Sequence, residues 1–228
     1  MSQSGAPGTH PLNLGSDMDK DRERLLAATS DLTRRAEELF QRHTSEELLW
    51  KPAPDAWSMC QCLEHLTTSL QLYLAPLSAA VSGGGPSGEG PYRYGPVARL
   101  WIRLIKPGGP KLPAPRQMRP RGAGAARPGG AEAARPGGAD AGGHGTLPPA
   151  DPAATLDEFR EAHARLAELI RSSQGLDLSR IRMRSPVIAL LRLPLGAWFE
   201  TCVEHGRRHM DQAERVAGRL ASGEGDGG

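Results

Sequence analysis

The chain has 228 residues, with 28 Lys and Arg against 26 Asp and Glu, so its formal net charge is only +2. A balance this near neutral gives no global argument for nucleic acid or an anionic membrane as partner, and no run of about 18 apolar residues offers a membrane span. Hydrophobic residues make up 38% and aromatics 4%; much of the 28 Gly and 20 Pro falls between positions 83 and 153, which leaves a globular part of about 150 residues, one ordinary domain.

Residues 1–16 read as a disordered tail, small and polar and without a signal-peptide core. Ser16 or Asp17 then opens a helical pattern carrying Leu25, Leu32, Ala36, Leu39 and Phe40, which fades near His43. Pro52 and Pro54 interrupt residues 49–57 and forbid a continuing helix. Ser58 and Gln61 form a capping box, so a second helix is expected from about Met59, with Met59, Leu63, Leu66, Leu70, Leu74 and Leu77 facing the core, ending before Ser82. A short helix over 96–106 has Pro96 in its first turn and Pro107-Gly108 at its end.

Beyond it the period is lost. AARPGGAE at 125–132 is followed by AARPGGAD at 133–140, a low-complexity repeat with no apolar face to stack. Residues 107–153 are therefore read as a long, largely flexible Gly/Pro/Ala/Arg-rich connection. Thr155 and Glu158 suggest another capping box, and the helix after it carries Leu156, Phe159, His163, Leu166 and Ile170 until about Gly175. Residues 176–195 are basic and apolar without a clean period, and Pro186 and Pro194 break them. The last helix spans about 197–220 with the stripe Trp198, Cys202, His205, His209, Ala213, Val216 and Leu220. Four amphipathic helices without a convincing strand pattern imply an all-α bundle over 17–222, with 223–228 a second tail. The two long connections mean that it need not run up-down-up-down.

The last helix holds the anomaly. His205 and His209 stand where the stripe calls for Leu or Ile. Four apart, both project from one face, about 6 Å apart along the axis. Histidines in a core seam are costly without partners or a metal, and this pair makes a natural clamp for zinc at metal–nitrogen distances of about 2.0–2.1 Å. His65, at the edge of the second helix's stripe, could be aimed at the pair by a neighbouring helix. Three neutral histidines would leave a coordination position open, as at catalytic sites.

Two segments carry a family resemblance. Trp57-Ser58-Met59-Cys60-Gln61-Cys62-Leu63-Glu64-His65-Leu66 resembles the W-S-x-x-E/Q-x-x-x-H-L segment of the DinB-like superfamily, and His205-Gly206-Arg207-Arg208-His209-Met210-Asp211-Gln212 resembles its H-x-x-R-H-x-x-Q segment. Trp50-x-Pro52 and the Pro-rich stretch 111–120 also fit that layout. The resemblance implies a four-helix bundle with a divalent metal, zinc foremost and nickel or iron also acceptable to imidazoles, held by His65, His205 and His209. It implies a metal-dependent hydrolase, or an enzyme transferring a low-molecular-weight thiol such as bacillithiol or mycothiol, acting on a small-molecule substrate. The family name does not denote the translesion polymerase that shares it. The long insertion after residue 106 departs from the family pattern. The competing reading is a non-catalytic metal-binding or stress-associated bundle working through protein contacts, such as those of a homodimer.

Other residues weigh less. His163 is the rival ligand, on an apolar face but without a motif. Cys202 and His209 are about 10.5 Å apart along a helix, so Cys202 reads as a small core residue. Cys60 and Cys62 point different ways, and three cysteines, an odd number, fit a reducing cytoplasm. Glu64 and Glu204 read first as solvated or interhelical carboxylates, and second as a general base or partners of the histidines. Gln212 could orient a group at the site. Arg180, Arg182, Arg184 and Arg192 read as a solvated loop or as recognition of an anionic substrate. His10, His43 and His144 are expected in solvent. Nucleic-acid binding by the arginines of 93–135 is disfavoured for want of interleaved aromatics.

Overall fold

The computed structural model describes residues 17–88, 91–110, 114–120 and 151–223. Residues 1–16 and 224–228 of the two tails and the tandem repeat at 125–140 lie outside the described residues. Helices α1 (Asp17–Gln41), α3 (Met59–Ser82), α5 (Pro152–Ser172) and α6 (Leu195–Ala221) form a four-helix bundle, joined by short helices α2 (Ser45–Leu49) and α4 (Pro96–Ile105). α1 and α3 each pack against both α5 and α6. The ring order is therefore α1, α5, α3, α6, and the first two long helices stand across the ring from each other. This places His65 of α3 beside α6.

The helix starts follow local chemistry. Ser58 Oγ accepts the Gln61 N–H while Gln61 Oε1 accepts the Ser58 N–H, completing the capping box. An equivalent box, Thr44 with Glu47, starts α2, an element not anticipated from the sequence. The box expected at Thr155 is a correction. α5 begins earlier, at Pro152, with Asp151 Oδ1 accepting the Ala153 N–H, the Asp-then-Pro pattern that opens helices. Thr155 is instead buried in the first turn, its hydroxyl accepting the Cys60 thiol. α3 also continues through Pro76, with Leu74 and Leu77 buried on either side of it.

Residues 176–195 contain a strand pair that three-residue periodicity could not announce. β1 (Arg182–Arg184) and β2 (Arg192–Pro194) are antiparallel, with Met183 opposite Leu193. Both of those side chains are buried while Arg182 and Arg184 point to solvent, and the Met183 carbonyl accepts the Trp198 indole N–H.

The seam of α6 also differs from expectation. Trp198, Ala213 and Val216 of the expected stripe are buried, but between them the buried line runs through Val203, Gly206 and Met210, one residue round the helix from Cys202, His205 and His209. A Cβ on Gly206 would stand 2.5 Å from Leu32 Cδ1, so α1 and α6 make their close approach at that line. The histidines lie on its flank, half-buried, facing α3.

Part of the stretch read as a flexible connection is built into the bundle. Residues 116–118 form a 3-10 turn against α3, and Met118 is buried.

Candidate metal centre

His65, His205 and His209 converge. One ligand-capable atom from each lies within 4.8 Å of the others, and the ring centroids are 4.4 to 5.0 Å apart. His65, placed at a stripe edge by the sequence, is the buried member; His205 and His209 are half-buried. Leu66 and Met210 of one apolar cluster and Leu70 and Val203 of the other flank the trio along α3 and α6. The site therefore sits where the two halves of the core meet.

Hydrogen bonds fix two of the three rings. His65 Nδ1 donates to the Met118 carbonyl at 2.5 Å, which leaves the Nε2 lone pair facing inward. That Nε2 is 3.2 Å from His205 Nε2. Two nitrogens on one tetrahedral zinc stand about 3.3 Å apart, given bonds of about 2.0–2.1 Å. Gln212 Oε1 accepts from His209 Nδ1 at 2.9 Å, so His209 also presents Nε2. Gln212 thus orients a ring of the trio, as its spacing suggested. Burial holds the His65 pKa below that of a free imidazole. Burial, followed by the neighbouring His209 and His65, pushes His205 well down. Burial and the nearby His65 bring His209 to about 3. All three rings are neutral at physiological pH, the state in which imidazole ligates. Three neutral nitrogens, two with their outer N–H anchored on oxygen, suit a borderline ion such as zinc.

Two further contacts shape the site. Trp57, from the turn before α3, lies over His65 and His209 with centroids at 4.8 and 5.7 Å. Arg208 donates to the Leu104 and Pro110 carbonyls at 3.0 and 2.6 Å, tying the end of α4 to the histidine helix. Both residues are in the quoted motifs, which was their signal; the role of Met118 had none, because a carbonyl is not encoded by residue type.

The remaining candidates disperse. Glu204 accepts from Arg207 one helical turn on. Glu64 is buried on α3. The three cysteines are free thiols, and burial raises Cys62 and Cys202 to about 12, so neither supplies thiolate near neutrality. Arg182, Arg184 and Arg192 lie exposed on the hairpin, with Arg180 exposed just before it. His43 caps its own helix through Leu39.

His163 is not a member of the trio. It is buried in α5, stacked on Phe159 at 3.9 Å, with Nδ1 donating to the Phe159 carbonyl. Burial lowers its pKa to about 4. An unfolded histidine titrates near 6.5, so between those values the unfolded chain binds more protons, and stability falls as pH drops through that window. From pH 8 to pH 5 the wild type should lose about 2 kcal/mol more than His163→Leu. Urea titrations at the two pH values check this; parallel losses would refute it.

The comparisons agree with this architecture. The DinB superfamily model matches residues 20–213, and the chain belongs to that superfamily. Among solved structures it is similar to YfiT from Bacillus subtilis, a probable metal-dependent hydrolase with an unusual four-helix bundle topology, at 13% identity and a TM-score of 0.53, covering 97% of this chain and 94% of that one. That likeness shows the shared fold. No curated protein matches the chain. Among the described residues, no helix is long and apolar enough to cross a membrane.

Proposed function

We propose that this protein is a metal-dependent hydrolase acting on a small-molecule substrate, with His65, His205 and His209 holding one divalent ion, zinc in the first instance. The observation that carries the reading is the convergence of three neutral imidazoles, two of them, His65 and His209, oriented from outside by Met118 and Gln212. The hydrolase description of YfiT, a protein of the same fold, supports it. A metal held there supplies Lewis acidity that brings the ionisation of water, or of a thiol, to near neutrality.

The chain's own residues do the rest. The Met118 carbonyl keeps the His65 proton on Nδ1. Gln212 does the same for His209. Trp57 shields two of the rings from water, and Arg208 holds residues 104–110 beside the site. The half-burial of His205 and His209 leaves a solvent-facing side from which a substrate could approach.

Elemental analysis of the purified chain, paired with screening against ester and amide substrates, tests the reading. About one transition metal per chain and hydrolysis abolished by chelation are expected. Metal-dependent conjugation of bacillithiol or mycothiol to an electrophile, without hydrolysis, would redirect it to thiol transfer. Absence of metal after reconstitution would end both. Gln212→Leu should weaken metal affinity about 10–100-fold while the fold persists, measurable by competition with a chromophoric chelator. Unchanged affinity would remove Gln212 from its orienting role.

A further inference from the structure

The near-neutral net charge conceals a segregation. Residues 91–110 and 178–195 hold eight Lys and Arg and no Asp or Glu, leaving the remainder of the chain at a net −6. All eight are exposed, and none is paired with a carboxylate among the described residues. Arg184 and Arg192 even face each other across the hairpin, where like charges repel unless an anion joins them.

Among the described residues, the large exposed hydrophobics lie in the same two segments. Val97 and Leu100 on α4 are 63% and 59% exposed, and Ile188 and Leu190 at the hairpin tip 41% and 95%. α4 packs against β2 and α6, so these elements are neighbours. On α4, Ala98, Trp101 and Ile102 turn to the core. At 100° per residue the apolar arc continues to Val97 and Leu100, beyond what the core covers, and Arg99 and Arg103 border it. An apolar face flanked by cations is the pattern of a helix lying in a lipid interface.

We propose that α4 and the β1–β2 hairpin form a docking face for an anionic lipid bilayer. Leu190, Ile188, Val97 and Leu100 enter the interface, and the surrounding arginines meet headgroup phosphates. Peripheral docking of this kind needs no spanning helix. A nucleic acid would reward the cations but not four protruding aliphatic residues. A second copy would bring two strongly cationic faces together. The docking face stands independently of the metal centre.

Vesicle flotation of the purified full chain tests it, using phosphatidylcholine alone or mixed with phosphatidylglycerol. Flotation is expected only with the anionic vesicles and should weaken with added salt. Each arginine near the surface contributes about fivefold, so Arg182→Glu/Arg184→Glu should lower the partition at least about 25-fold. Leu100→Asp/Leu190→Asp should abolish flotation. These side chains are exposed, so unchanged melting curves will certify that the variants are folded. The proposal is overturned by no flotation with anionic vesicles, by equal flotation on neutral ones, or by variants that float like the wild type. It is equally overturned if the variants lose only duplex-DNA binding or self-association.

Discussion

In a His205→Ala/His209→Ala variant, bound transition metal should fall from about one per chain to background, with the helical circular dichroism intact. Both side chains are half-buried on the flank of α6, and Ala is the best helix former, so the helix has no local reason to unwind. Its packing line through Val203, Gly206 and Met210 is untouched. One imidazole, His65, would remain, and a single nitrogen ligand cannot hold zinc against solvent. His65→Ala should also empty the site, at a different structural cost. It removes a buried ring and strands the buried Met118 carbonyl, so residues 114–120 should become susceptible to proteolysis. Metal content measured by mass spectrometry, with limited proteolysis of each variant, separates the two. Undiminished metal in the double variant would refute the assignment of the ligands.

The sequence was a good guide wherever the signal is a residue type at a helical spacing. The capping box at Ser58, the start of α1 and the existence of α6 could all be read directly, because a cap or an apolar stripe is local. The His205–His209 pair was legible for the same reason, although in the middle of α6 the stripe through it lies one position from the buried line. The real seam passes through Gly206, and a glycine does not register in a hydrophobic stripe; only the approach of Leu32 shows that it is the contact line. His65 needed the motif, since nothing local says that α3 lies beside α6. The ring order α1, α5, α3, α6 is a property of the whole chain.

Charge was the most misleading quantity. A sum near zero describes the molecule at long range, but segments brought together by folding can each be one-signed. Residues 91–110 and 178–195 are separated by the whole insertion, so their shared sign has meaning only after α4 and β2 are seen to be neighbours.

Arg22→Met should destabilise the protein by about 2–5 kcal/mol while leaving metal stoichiometry unchanged in the folded fraction. Arg22 is 5% exposed in the first half of α1. Its guanidinium donates to the Ser173 carbonyl at 2.9 Å and the Leu176 carbonyl at 2.8 Å, and pairs with Asp19 at 2.7 Å. Ser173 caps α5, so one side chain fastens the start of α1 to the turn after α5. Met replaces most of the stem volume but leaves the Leu176 carbonyl without its donor, at about 1–3 kcal/mol, and removes a charge-assisted bond of about 1.5–3 kcal/mol from the Ser173 carbonyl, which keeps the Leu176 N–H at 3.2 Å. Asp19 is part-exposed and can return to water, so its share is small. Neither Arg22 nor its partners belong to the histidine site. Chemical denaturation of the metal-free protein gives the stability change, and elemental analysis of the refolded variant gives the site. A loss below the range would mean that water replaces the guanidinium at those carbonyls. A parallel loss of metal would mean that the α1–α5 fastening also positions α3 against α6.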